Sequence, residues 1–225
     1  MNIFVDKHHE SLFQSLILLF EKRLHWNLYT QAGLDWYKEG LWNVYPHPST
    51  AEQYLLREVE NDHGITREQF KQMDFDLILC SIPQHIEPFK KLAEEKNAPL
   101  CYQVGNQWDI PNNIVKNVMV SAKVEIPSNI NGVIYHQQFD LDIFHYGEPK
   151  LSKNIYSFIN CLNTADLFKE DWEFFLELER LLPDWNFKSY GGQARDGVVN
   201  GHEELADKMR ECFFVFHVKK NADGF

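Results

Sequence analysis

Short apolar runs alternate with stretches of helical spacing along most of the chain, and this alternation predicts strand–helix units. The run NIFVD (2–6) ends in Asp6, and beyond it Leu12, Leu16, Leu19 and Phe20 recur at helical intervals across 8–24. NLYT (27–30) predicts a second strand. The segment 32–50, with two Gly and two Pro among aromatic residues, predicts a loop. Ser49 and Thr50 followed by Glu52 and Gln53 mark a helix start, with a polar helix running towards Gly64. FDLILCSIP (75–83) is an apolar run bounded by Asp and Pro, as expected of a parallel strand buried on both faces. An amphipathic helix over 88–96, a strand over 99–106 and weaker strands over 117–122 and 132–137 follow. Composition turns polar, with Gly and Pro, over 144–154, which predicts a linker. The pattern then restarts with a strand over 155–160, a helix over 166–182, a strand over 187–191, a helix over 202–212 and a strand over 213–218. Strands that alternate with helices predict an α/β protein of two parallel-sheet units in tandem, residues 1–150 and 151–225.

Composition narrows the function classes. With 44% hydrophobic and 14% aromatic residues, the chain has the makings of packed cores rather than of a disordered polymer. Lys+Arg 22 against Asp+Glu 33 gives a net charge of −11, so no global basic field attracts nucleic acid. Cys80, Cys101, Cys161 and Cys212 lie far apart without a CxxC pair, the pattern of buried thiols in a reducing compartment. The opening MNIFVDKHHE lacks a basic secretory leader, and no run approaches the roughly 18 apolar residues of a membrane span. These features point to the cytoplasm. P-loop, GxGxxG and Ser-His-Asp patterns are absent, so no NAD-type cofactor is expected.

Candidate chemistry gathers where predicted strands end, because ligands of open α/β sheets bind outside the carboxyl ends of the strands. Asp6, His8 and His9 follow the first strand: an imidazole with an ordinary pKa near 6.5 suits a general base, and a carboxylate beside it can orient the ring. The competing reading has both histidines merely capping the first helix, with Asp6 facing solvent. A metal site at His8, His9 and Glu10 is not expected, since adjacent residues seldom present facing ligands. Gly105, Asn106 and Trp108 follow another buried strand, and Trp108 offers a stacking face. Gly191 and Gly192, in SYGGQARDG (189–197), can bring backbone N–H groups close to a ligand. Lys219 and Lys220 follow the last strand, where one of them can meet an anionic leaving group.

Two Rossmann-like halves joined near residue 150 resemble the GT-B-fold glycosyltransferases, with the second half incomplete. VIYHQQFDLDIFHYGEP (133–149) resembles that family's crossing into the donor domain, and SFINCL resembles the domain's first strand. The opening NIFVDKHHESLFQSLILLFEKRL is similar to the start of bacteriophage glycosyltransferase-like proteins. KKNADGF (219–225) looks like the front half of the family's E-G-F-G turn, with Asp223 where Glu is common, and on this reading the 225 residues are either a fragment of a longer enzyme or a naturally shortened relative. The resemblance implies sugar transfer from a nucleotide-sugar donor to an unidentified acceptor, without a metal. It implies donor binding through Lys219, Asp223, Gly224, Gly191 and Gly192, acceptor binding through Gly105, Asn106 and Trp108, and catalysis through His8, His9 and Asp6. A non-catalytic binding or assembly protein on the same scaffold, or transfer to modified DNA bases, are the alternatives. The charge of −11 counts against the last.

Overall fold

The computed structural model describes residues 1–7, 10–41, 62–104, 110–111, 114–121, 125–147 and 152–218. They fall into two compact units, Met1–Phe139 and Asp140–Asn221, each with its own sheet.

In the first unit, strands β1 (Asn2–Val5), β2 (Asn27–Gln31), β3 (Gly64–Ile65), β4 (Leu77–Cys80), β5 (Leu100–Val104), β6 (Asn117–Val120) and β7 (Asn131–Ile134) form one sheet. Its order is β3-β2-β1-β4-β5-β6-β7, and every pairing is parallel. The chain works outward from β1 through β2 and β3, returns to β4 on the other side of β1, and continues outward. That reversal makes the β1/β4 boundary the topological switch point of the sheet.

The period-2 geometry of the strands divides the core into two layers. Phe4, Ile78, Cys80, Tyr102 and Val104 face one side, where they meet Trp36, Phe70 and the helix Ile86–Lys96 through Ile86, Phe89 and Leu92. Ile3, Val5, Leu79, Cys101 and Met119 face the other side and meet Leu12, Phe13, Leu16 and Phe20. Helices on both faces explain why these strands read as continuous apolar runs rather than alternating ones.

The predicted helix over 8–24 is an α-helix, Glu10–Ile17, that widens into a π-helical turn, Leu18–Arg23. Three short elements were not expected. The helix Asp35–Lys38 interrupts the segment 32–50 that reads as a loop, and β3 and the helix Arg67–Gln72 precede β4, with Thr66 and Gln69 capping the latter helix reciprocally. Arg67 is the buried charged residue of this short helix: its guanidinium lies over the rings of Trp36 (5.4 Å) and Phe70 (5.2 Å). Its Nε donates to Glu39 at 2.8 Å and its two terminal nitrogens donate to Glu95, so the buried charge is fully paired. The polar helix expected between Thr50 and Gly64 lies outside the described residues.

The second unit holds β8 (Asn154–Ser157), β9 (Asn186–Ser189) and β10 (Phe214–Phe216) in the order β10-β8-β9, again all parallel. Helices Lys169–Leu181 and Gly201–Glu211 connect the strands, as the spacing predicts. A small core of Ile155, Phe175 and Phe187, with Trp172, Leu178, Trp185 and Phe216 packed on it, lies under the first of these helices. The expected fold class, two parallel α/β units in tandem, is the one observed.

Candidate functional site

Asp6 is the first residue after β1, and Ser81 the first after β4, so the two leave adjacent strands on either side of the switch point. The carboxylate is 2% exposed and accepts three hydrogen bonds. Its Oδ1 accepts from Ser81 Oγ at 2.6 Å, and its Oδ2 from the Ser81 backbone N–H at 2.9 Å. Oδ2 also lies 2.6 Å from Nδ1 of His85, which is 1% exposed and closes the turn Pro83–His85 before the helix Ile86–Lys96. An acceptor-only carboxylate at that distance requires the proton on Nδ1, which fixes the tautomer and the plane of the ring.

Asp6 therefore does not face solvent, and the capping picture of it is replaced by a buried carboxylate that ties β1 to the β4 turn. Its charge is felt along the sheet. Burial first, and then the Asp6 charge, push the Cys80 thiol well above its ordinary range, so this thiol is inert. Burial, and after it Cys80 and Asp6, also push the Tyr102 hydroxyl upward; among the described residues that buried hydroxyl has no hydrogen-bond partner. Around the corner of the same sheet edge, Gln103 Nε2 donates to Tyr135 Oη at 3.2 Å and to Ser121 Oγ at 3.4 Å. Three polar side chains thus lie at the carboxyl ends of β5, β6 and β7.

His85 and Ser81 were missed by sequence reasoning, although the signal for them exists. SIPQH follows a buried strand just as DKHHE does, and the rule that singles out His8 and His9 applies equally to His85. Of the predicted residues, His8, His9, Gly105, Asn106, Trp108, Lys219, Asp223 and Gly224 lie outside the described residues.

Gly191 and Gly192 are described, and both amides are occupied within the unit. Gly191 N donates to Gly197 O at 2.8 Å, and Gly192 N donates to Asn160 Oδ1 at 2.7 Å, which joins the turn after β9 to the turn after β8. Gly191 has φ +142°, and a Cβ there would lie 2.9 Å from the Ile159 carbonyl oxygen and from Asn160 Oδ1. Backbone cannot retreat as a flexible side chain can. Gly191→Ala is expected to destabilise the second unit by about 1–3 kcal/mol, whereas Gly192→Ala, whose Cβ would meet nothing nearer than 3.5 Å, stays near neutral. Equal urea midpoints for the two variants would contradict this.

Among the described residues no helix is long and apolar enough to cross a membrane, and no group of three or more His, Cys, Asp or Glu is arranged to hold a metal. No protein-family model matches the chain, and no curated protein sequence matches it significantly. Solved structures do match. The structure of Anabaena Alr3699/HepE in complex with UDP-glucose superposes with a TM-score of 0.50 at 10% identity, covering 96% of this chain and 73% of that one. Its complex with UDP and glucose gives the same TM-score and coverage at 12% identity. MurG from Acinetobacter baumannii matches at 0.50 and 11% identity over 95% of this chain and 72% of its own. The fold is of the GT-B type. At 10–12% identity the likeness is one of architecture, to which this chain brings a seven-stranded and a three-stranded parallel sheet in tandem.

Proposed function

We propose that this chain serves sugar transfer from a nucleotide-sugar donor to an acceptor hydroxyl, with the acceptor held outside the carboxyl end of the seven-stranded sheet. The observation that carries the reading is the buried Asp6–Ser81–His85 network at the switch point of a GT-B-type fold. Transfer requires a group that accepts the acceptor's proton and groups that stabilise the departing diphosphate. In this reading His8 or His9 takes the proton. Asp6 and His85 are too enclosed to meet a substrate; they position the β1 turn that carries the two histidines. Lys219, Asp223 and Gly224 are assigned to the donor diphosphate, Gly191 and Gly192 to the shape of the donor-side turn, and Gly105, Asn106 and Trp108 to the acceptor.

A panel of nucleotide sugars in a thermal-shift assay tests the donor half of the proposal. A donor present at about 100 times its dissociation constant contributes roughly 2.7 kcal/mol, or a rise of about 5–10 °C in a protein of this size. Its absence across nucleotide sugars and their nucleoside diphosphates would remove the reading. Once a turned-over donor is known, His8→Ala or His9→Ala is expected to lower kcat by about 10²-fold with the melting temperature unchanged. Full turnover in both variants would return the histidines to helix capping, and donor binding without turnover would make the protein a sugar-nucleotide binder.

A further inference from the structure

A recess of about 450 Å³ opens at the amino end of β5 and β6, the edge of the seven-stranded sheet away from the switch-point turns. That volume is within the roughly 300–1,000 Å³ of small-molecule sites. All of its walls come from residues 90–117: the second half of the helix Ile86–Lys96, the turn after it, and the residues that lead into the two strands. Ala93, Pro99, Leu100 and Ile114 make its apolar part. Asn117 lines it with its amide engaged, Nδ2 donating to Leu100 O at 3.0 Å and Oδ1 accepting from Asn131 Nδ2 at 3.3 Å.

Charge decides what the recess can hold. Three charged side chains line it, Lys90, Lys116 and Glu94, and none of them forms an ion pair among the described residues. Elsewhere helical neighbours of opposite charge do pair: Arg180 with Glu177, Lys208 with Glu211 and Arg210 with Asp207. Lys90 and Glu94 stand one turn apart on their helix and stay separate. Two lysines against one glutamate leave the recess positive in a chain that carries −11, and concave walls of low dielectric concentrate the field of such charges. The negative end of the helix does not cancel it. The Ala93 and Glu94 carbonyls accept from the Ala98 and Asn97 N–H groups at 2.9 and 3.2 Å, so these oxygens are already engaged. We infer that the recess binds a small organic anion, a carboxylate or a phosphate on an apolar body, its head at Lys90 and Lys116 and its body against Ala93, Pro99, Leu100 and Ile114. A polyol fits this lining poorly, because the apolar wall would leave its hydroxyls unpaired. The site is separate from the one assigned to sugar transfer and does not rest on that assignment.

The experiment titrates the full chain at constant ionic strength with phenylacetate, phenyl phosphate, benzyl alcohol and inorganic phosphate, and follows backbone amide shifts by NMR. At least one of the two aromatic anions is expected to saturate with a dissociation constant of about 0.1–1 mM, as suits a ligand of about ten heavy atoms. The shifts should gather at Ala93, Ala98, Leu100 and Ile114. Whichever anion binds more tightly identifies the head the site prefers. Benzyl alcohol lacks the charge and inorganic phosphate lacks the body, so each should bind about tenfold more weakly or not at all. Lys116→Glu, an exposed substitution, and Lys90→Gln should each weaken the aromatic anions about tenfold, the scale of one lost charged hydrogen bond. Lys91→Glu, on the same helix outside the recess, makes the same change in net charge as Lys116→Glu and should leave binding as it was. The absence of saturable shifts up to about 20 mM, well above that range, overturns the inference. So does benzyl alcohol or inorganic phosphate binding as tightly as the aromatic anions, a shift pattern centred elsewhere, or equal weakening by Lys91→Glu and Lys116→Glu.

Discussion

Asp6→Ala is expected to cost about 3–5 kcal/mol of stability in the first unit, because it leaves three buried donors without their acceptor, each worth about 1–3 kcal/mol. Among the described residues the carboxylate accepts from both the Ser81 N–H and the Ser81 hydroxyl, and it holds Nδ1 of His85. Alanine leaves all three in a space that water barely enters, and a buried donor without a partner costs about 1–3 kcal/mol by itself. Since a domain's whole stability is about 5–15 kcal/mol, the variant should approach the threshold of folding. Asp6→Asn should fall between parent and alanine, because one amide oxygen cannot replace two carboxylate oxygens for three donors. Hydrogen exchange on the amides of β1 and β4, combined with urea unfolding, measures the effect where it arises. A loss below about 1 kcal/mol for Asp6→Ala would show that the network is not what joins these strands.

Phe4→Ala is expected to lose a similar amount for a different reason. Phe4 is wholly buried at the centre of an aromatic cluster: its ring stacks on Trp36 at 5.2 Å and Phe89 at 5.8 Å, and meets Phe70 and Phe75 edge-on at 4.7 and 5.6 Å. Four rings supported by one another and by the sheet cannot close over the gap. The cost is therefore the transfer energy plus that of a cavity that persists, about 3–5 kcal/mol. Phe4→Leu keeps most of the volume and should lose clearly less. If the urea midpoints of the two variants coincide, the cluster collapses freely and the cavity argument fails. Asp6→Ala and Phe4→Ala also separate two properties of one strand, since only the first is expected to disturb the β4 turn.

The strands and long helices were legible because their signal is local. β4, β5 and the helix Ile86–Lys96 carry apolar periodicity over four or more residues, and β8, β9 and β10 repeat the pattern after a polar interval. β3 was not legible: two residues are too few for any period, and its place in the sheet depends on pairing with Thr30 and Gln31 far away in sequence. The Thr66–Gln69 capping box, in contrast, was there to be seen. Gly191 was picked out for a backbone near a ligand, whereas the close approach in the structure is to Ile159 and Asn160 of the same unit. The site was half legible. Asp6 is marked by its position after a strand, but its partners are set by which strand lies next to β1, and adjacency across a sheet has no signature in a linear pattern. Nothing in DKHHE says that the carboxylate turns inward to residues 75 and 79 positions away.

The sheet order also sets a timetable for synthesis. β1 sits between β2 and β4, with Ile3 opposite Leu77, so its second edge stays open until 74 further residues have been made. At about 5–20 residues per second that interval is roughly 4–15 s. Throughout it Ile3, Phe4 and Val5 can be covered on one side only, and the nascent chain carries an apolar strand that its own later sequence has not yet enclosed. Ribosome-bound chains shorter than β4 are accordingly the species on which a chaperone would act.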